Sequence, residues 1–278
     1  MLIINTNITL ENYKLENFNI EDLSRIPSIN PPDWKDISPH FIYYLLSDFC
    51  FPLKLEIHHK LVGIGSAIIH NDAAWLAHIV VHPDHRNKGL GNLITKRLLE
   101  IAEEQKCKSA HLLATDLGFP VYIKQGFIED TDYIIFKQPE ADFELDISEN
   151  IIGIKDKHKE AIRDLDKRVS GEDRFFRLEE HFNSAKVYFD DNRLQGFYLP
   201  GFGEGLIVAE NPIAGIALMQ QRLLDNDIAT LPVDNLEAIQ FLKSLHFTPQ
   251  RTLKRMYLGE KRIWEPQNLY NRVGGYVG

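Results

Sequence analysis

Cysteine is scarce in this 278-residue chain: Cys50 and Cys107 are the only two. Neither has a Cys or His neighbour at metal-ligand spacing, so a disulfide framework and a metal site are both unexpected. Two reduced thiols suit a cytoplasmic protein. Basic residues are also short, with 31 Lys and Arg against 40 Asp and Glu and a net charge of −9. That deficit argues against nucleic acid as a partner, because phosphate backbones attract basic stripes. It would suit a cationic substrate. No apolar run approaches the roughly 20 residues that cross a bilayer. Residues 1–10 lack a basic region followed by a long apolar run, so neither a membrane span nor a signal peptide is expected. His58 and His59 look like a metal pair. Consecutive strand residues point to opposite faces, however, and no carboxylate stands at ligand spacing.

What is present is enough apolar sequence, 44%, for a core, in a length natural for two domains. The chain is organised around Ile79-Val80-Val81-His82-Pro83-Asp84-His85-Arg86-Asn87-Lys88-Gly89-Leu90-Gly91-Asn92-Leu93. Ala74 to Val81 reads as a strand that ends at Pro83, which cannot donate to a ladder. Leu93 to Gln105 reads as an amphipathic helix, with Leu93, Leu98, Ile101 and Ala102 on its apolar side. A strand, a glycine turn and a helix start present free N–H groups and a positive dipole end to an anion. Gly89 and Gly91 let backbone approach it, and Arg86 and Lys88 add charge. The spacing departs from Gly-x-Gly-x-x-Gly and from Gly-x-x-x-x-Gly-Lys-Ser/Thr, which makes dinucleotides and nucleoside triphosphates poor fits.

Arg86-x-x-Gly89-x-Gly91, after Val81-x-Pro83, resembles the pyrophosphate motif of the GNAT superfamily of acyl-CoA N-acyltransferases. Further on, Tyr122 followed by Gly126-Phe127 resembles the second GNAT motif, a short helix whose tyrosine faces the thioester. The resemblance implies acetyl-CoA as co-substrate and transfer of its acetyl group to a primary amine, of a small molecule or a peptide, by direct attack in a ternary complex. It implies that backbone at Ile79, Val80 and Val81 carries the acyl carbonyl and pantetheine arm. It also implies that Arg86, Asn87, Lys88, Gly89, Leu90, Gly91 and Asn92 hold the pyrophosphate, and that Tyr122 protonates the leaving thiolate. In this family the central strand splays from its neighbour, here His111 to Thr115. The general base is left open. The face shared with Val81 holds Trp75, Ala77 and Ile79 if pairing is regular, and none is a base. His78 and His82 lie on the other face unless a bulge flips His78. Asp116 and a water chain are further alternatives. A non-catalytic acyl-CoA-binding sensor is the competing reading.

Ahead of the motif, Ile8 to Leu15 reads as a strand, and Asn19 as the cap of a helix with Asp22 at its third position. Pro27, Pro31 and Pro32 break the chain before a helix over Ser38 to Asp48. In GNAT folds this region walls the acceptor pocket, so Trp34 and Tyr43 or Tyr44 are pocket aromatics or, equally, core, and Trp75 on the central strand is a further substrate-binding candidate. Leu53 to Ile57 and Leu61 to Ile69 form a hairpin, in which Gly63 and Gly65 signal a bulge or a close approach. After an acidic linker at Ala141 to Glu149, the order of elements repeats. The whole reads as an α/β chain of two tandem GNAT-like domains, each a mixed, mostly antiparallel sheet flanked by helices. Residues 1–139 are the catalytic copy and 140–278 a degenerate one. In the second copy Ala209-Glu210-Asn211-Pro212-Ile213-Ala214-Gly215 replaces the loop without a basic residue, and Leu242 replaces the tyrosine, so no acyl-CoA is expected there. The glycine-rich tail, 269–278, is by default a frayed end, or else docks at the groove between the halves.

Overall fold

The computed structural model describes residues 13–32, 34–139 and 144–277. Its first half builds β1 (Tyr13–Asn17), α1 (Ser38–Leu46), β2 (Cys50–Ile57), β3 (Lys60–His70), β4 (Ala73–Val81), α2 (Leu90–Glu104), β5 (Ser109–Ala114), α3 (Phe119–Lys124) and β6 (Ile128–Lys137). Most of the expected strand over Ile8 to Leu15 lies outside the described residues, and the strand seen starts at Tyr13. The segment after Asn19 is a 3₁₀ helix, Ile20–Ser28, with Pro27 inside it. Its start is the expected one. The Asn19 side chain accepts from Glu21 N, and Asp22 accepts from Asn19 N, which satisfies donors that the turn leaves open.

The second half builds β7 (Ile151–Gly153), α4 (Lys159–Ser170), α5 (Phe175–Glu179), β8 (Lys186–Asp190), β9 (Arg193–Leu199), β10 (Leu206–Ala209), α6 (Pro212–Leu223), β11 (Ile228–Pro232), α7 (Leu236–Ser244), β12 (Thr248–Gly259) and β13 (Leu269–Asn271). The sheets do not follow the division at 139/140. The large sheet runs β1-β2-β3-β4-β5-β12-β6-β11, so two strands of the second half, β12 and β11, complete it. β12 lies antiparallel to both β5 and β6. The smaller sheet runs β13-β10-β9-β8-β7.

One face of the large sheet is covered by α2 and α3, with Leu90, Ile94, Leu98, Ile101 and Tyr122 buried against Leu53, Leu55, Val62 and Leu76. The other face shares a single apolar layer with the second half, where Phe41, Tyr44, Ile64, Trp75 and Val80 pack together with Ile162, Leu178, Phe197 and Val208. Burial on both faces explains why β3 reads as a nearly continuous apolar run rather than an alternation. The tail is not frayed. Val273 and Val277 are fully buried, and Arg174 Nη1 donates to the Val277 carbonyl at 3.2 Å.

Candidate active site

The site is opened by two irregularities of β4. First, β4 pairs with parallel β5 only at Ala73, Ala74 and Trp75, opposite Ser109, Ala110 and His111. Beyond Trp75 the strands splay, which leaves the β5 side of Ala77 to Val81 unpaired. Second, pairing with β3 is not regular: Ser66 stands opposite Ala77 and Ile64 opposite Val80. His78 and Ile79 thus face one residue, Gly65, and His78 takes a positive φ of 48°. This is a β-bulge, and it re-aims side chains. Trp75 and Ala77 lie in the layer shared with the second half, while Ile79 and Val81 lie against α2 and α3. Trp75 and Ala77 therefore do not share a face with Val81, as regular alternation would have required. The bulge swings His78 to the side of α1.

At the open end of the splay stands the basic glycine loop. α2 begins at Leu90, earlier than the periodicity of Leu93 implies, because Gly89 adopts a left-handed φ of 80° and acts as its N-cap. The first N–H of the helix bonded to a carbonyl is that of Leu93, which donates to Gly89 O. Among the described residues those of Leu90, Gly91 and Asn92 have no backbone acceptor, so they point outward at the positive end of α2. Arg86 Nε donates to the Val81 carbonyl at 3.1 Å, and Lys88 Nζ to the Asp84 carbonyl at 2.9 Å, which ties both cations to this turn. A Cβ at Gly91 would lie 3.8 Å from Val81 Cγ2 and 3.9 Å from Val121 Cγ2. Ordinary packing would tolerate that atom. What the glycine preserves is the space between Val81 and Val121.

The same space adjoins Tyr122. α3 is fastened to α2 by the Gln125 amide, which donates to the Asn92 side chain. Tyr122 is buried, and its ring packs edge-on against Phe127. Its hydroxyl has no protein hydrogen-bond partner among the described residues, and burial pushes its pKa up. Gly118 gives the ring room, since a Cβ there would come within 2.9 Å of Tyr122 Cε2. The structure thus brings together Ile79, Val80, Val81, the loop Arg86–Asn92 and Tyr122.

On the opposite face the bulge presents His78 to an aromatic cluster. The Tyr44 hydroxyl lies 2.8 Å from His78 Nδ1. The His40 ring is 4.7 Å from that of His78, Trp34 is 6.2 Å away edge-on, and Tyr276 of the tail stacks at 5.5 Å. Burial, with His40 adding to it, pushes the His78 imidazole down to about 3, so it is neutral at pH 7. Trp34 reaches this cluster and Trp75 does not. Trp75 is closed off in the interior, where its indole N–H donates to both Glu172 oxygens at 2.9 and 3.1 Å. Tyr276 and the orientation of His78 escape sequence reasoning. Gly65 was the legible sign of the bulge, but it stands on the neighbouring strand.

The corresponding cleft of the second half is filled. β13 runs antiparallel to β10, where the first copy keeps its splay open. The Tyr270 ring lies on α6 so tightly that a Cβ at Gly215 would come 2.2 Å from Tyr270 Cζ. The helix start is capped as well, since Ala214 N donates to the Asn211 side chain at 3.0 Å. Glu210, paired with Arg193 and Arg168, stands where the loop cations would be.

The acetyltransferase (GNAT) family model matches residues 18–127. An uncharacterized N-acetyltransferase of Pyropia yezoensis, ycf52, is 31% identical over 80 residues, which are 28% of this chain and 46% of that protein's length. Among solved structures, a Pyrococcus horikoshii protein assigned to the acetyltransferases superposes with a TM-score of 0.79 at 21% identity over 98% of both chains. A tandem GNAT protein of the clavulanic acid biosynthesis pathway gives 0.60 at 12% identity, over 89% of this chain and 98% of its own. These two likenesses concern the fold. Residues 18–127 thus resemble the acetyltransferase (GNAT) family, and along its length the chain has the fold seen in a tandem GNAT protein.

Proposed function

We propose that the protein transfers the acetyl group of acetyl-CoA to a primary amine by direct attack within a ternary complex, using the first copy alone. The observation that carries this reading is the splay of β4 from β5, which opens between a donor-rich helix start and Tyr122. The residues fit the co-substrate. Outward N–H groups at Leu90, Gly91 and Asn92, with Arg86 and Lys88 beside them, suit a pyrophosphate. Unpaired backbone at Ile79 to Val81 suits the amides of a pantetheine arm. Acetyl-CoA supplies the activated acyl group, and the protein supplies positioning and proton movement.

His78 is the proton acceptor in this scheme. This role requires the tautomer that carries its proton on Nδ1, beside the Tyr44 oxygen, so that the lone pair on Nε2 takes the amine proton as the C–N bond forms. Tyr122 gives its proton to sulfur as the C–S bond breaks. Binding and acceptor-dependent thiol release with acetyl-CoA test the reading. One acetyl-CoA per chain is expected by calorimetry, because β13 fills the second cleft. Gly91→Glu places a carboxylate in the pyrophosphate site and should abolish that binding with the fold intact. Unchanged affinity in this variant, or two molecules bound per wild-type chain, would overturn the assignment.

The non-catalytic sensor remains the second reading because Tyr276 stacks over His78. It predicts binding of acetyl-CoA with no thiol release for any amine.

A further inference from the structure

Beside the proposed reaction site, the second half places a ring of its own. After β13 the chain passes Arg272, held to Glu204 by a 2.7 Å ion pair, and Val273, whose carbonyl accepts from Glu204 N. It then turns over Gly274 and Gly275, and Val277 N returns to the Gly274 carbonyl at 3.4 Å. With Val273 and Val277 buried on either side, the turn is anchored at both ends and Tyr276 projects from it. Its ring stacks on His78 with 25° between planes and lies 4.6 Å from His40. Trp34, His40, His78 and Tyr276 pack on one another and are each half-buried, so the ring cluster is partly open at the surface.

The buried charges around this surface are engaged, and the remaining carboxylate is exposed. Asp36 acts on His40, but it is exposed and accepts from Ser38 N. Glu204 acts on Tyr276 and is paired with Arg272. Arg177 also acts on Tyr276, and its guanidinium is stacked over Tyr43, Phe49 and Phe202. His40 is pushed down by burial, as His78 is, so neither imidazole repels an ammonium at neutral pH. An amine entering here meets ring faces, which attract one ammonium and adjacent flat carbon. A second ammonium would meet only Asp36, whose exposed carboxylate is screened by solvent.

We infer that the C-terminal tail of the second half completes the acceptor pocket of the first, and that Tyr276, with Trp34 and His40, selects monoamines bearing an aromatic group over polyamines. The inference rests on the acetyl-transfer reading. It is tested on the full chain with 2-phenylethylamine and spermidine as probes, by calorimetric binding and by kcat/KM with acetyl-CoA. Wild type should bind and acetylate 2-phenylethylamine in preference to spermidine. Tyr276→Ala should raise its Kd and KM roughly tenfold, the scale of a ring–cation contact. Tyr276→Phe, which keeps the ring face, should restore both, and the KM for acetyl-CoA should stay constant throughout. Should Tyr276→Ala fail to fold, Trp34→Ala makes the same comparison. Preference for spermidine, or equal binding of 2-phenylethylamine by wild type and Tyr276→Ala, overturns the inference. Ring-dependent binding with no acetylation of either amine supports the pocket and instead sinks the acetyl-transfer reading.

Discussion

Tyr122 carries the sharpest single-residue consequence. A phenol has a pKa of about 10 in water, and burial moves that of Tyr122 further up. The group therefore keeps its proton across the neutral range and is present as the acid form beside the place where the thiolate would depart. Tyr122→Phe keeps the ring against Phe127 and removes only the hydroxyl. Because that hydroxyl has no partner to orphan among the described residues, the variant should unfold at the same denaturant concentration as wild type. Its turnover should fall by roughly 10²–10⁴-fold, the range of general-acid contributions, while acetyl-CoA affinity holds, since the loop supplies most of the charge complementarity. Equal steady-state turnover in the two proteins would reduce Tyr122 to a packing residue. The identity of this tyrosine was legible from its spacing to Gly126-Phe127. The lack of a partner for its hydroxyl was not, because that depends on what α2 and α3 leave empty.

At the scale of elements, the loop is aimed by how α2 lies across β3. Both strand glycines exist for this approach. A Cβ at Gly63 would come 2.7 Å from Ile94 Cδ1, and one at Gly65 would come 2.9 Å from Ile94 Cγ2 and 3.2 Å from Leu98 Cδ1. The two clashes differ in kind. Cδ1 ends a flexible side chain and can rotate away, whereas Cγ2 sits on the branched carbon of a fully buried residue. Gly65→Ala should therefore lift α2 and cost about 1–3 kcal/mol, the usual penalty of overpacking. Gly63→Ala should cost less. Urea unfolding of both variants gives the comparison, and a larger loss in Gly63→Ala would contradict this account. Because Gly65 also stands opposite the bulge, its variant should weaken acetyl-CoA binding in parallel with stability.

For the whole molecule, the exchanged strand decides what can fold. β12 fills the gap between β5 and β6, so residues 1–139 alone would expose two long unpaired edges in mid-sheet. The halves are also clasped by buried charge. Glu172 accepts from the Trp75 indole, and His70 Nδ1, 2.9 Å away, donates to it. His70 stays neutral, pushed down by burial, and its Nε2 accepts from Arg177 Nη1 at 3.4 Å. Burial works against the charge of this carboxylate, but the hydrogen bond from His70 with Arg174 near holds it well below its usual range, and the Trp75 indole donates to it as well. A fragment of residues 1–139 should show no cooperative thermal transition and no acetyl-CoA binding, and co-expression with residues 140–278 should restore both. A folded, acetyl-CoA-binding fragment would show that the first half closes its sheet unaided.

Local chemistry was decided by the sequence itself. The glycine loop, the tyrosine four residues before Gly126, the Asn19 cap and the repeated order of elements are written in short-range spacing, and short-range spacing fixes backbone conformation and helix starts. The fate of His78, of Trp75 and of the tail was decided only in three dimensions. His78 turns toward α1 because β3 is one residue short opposite it. Trp75 is shut away because Glu172, far along the chain, arrives to accept its N–H. The tail, glycine-rich and open to fraying when read alone, is ordered by Val273, Val277 and Arg174, and so brings Tyr276 to the other half. Each of these outcomes depends on pairing between distant segments, and a residue's own neighbours in the chain carry no record of which segment will lie across from it.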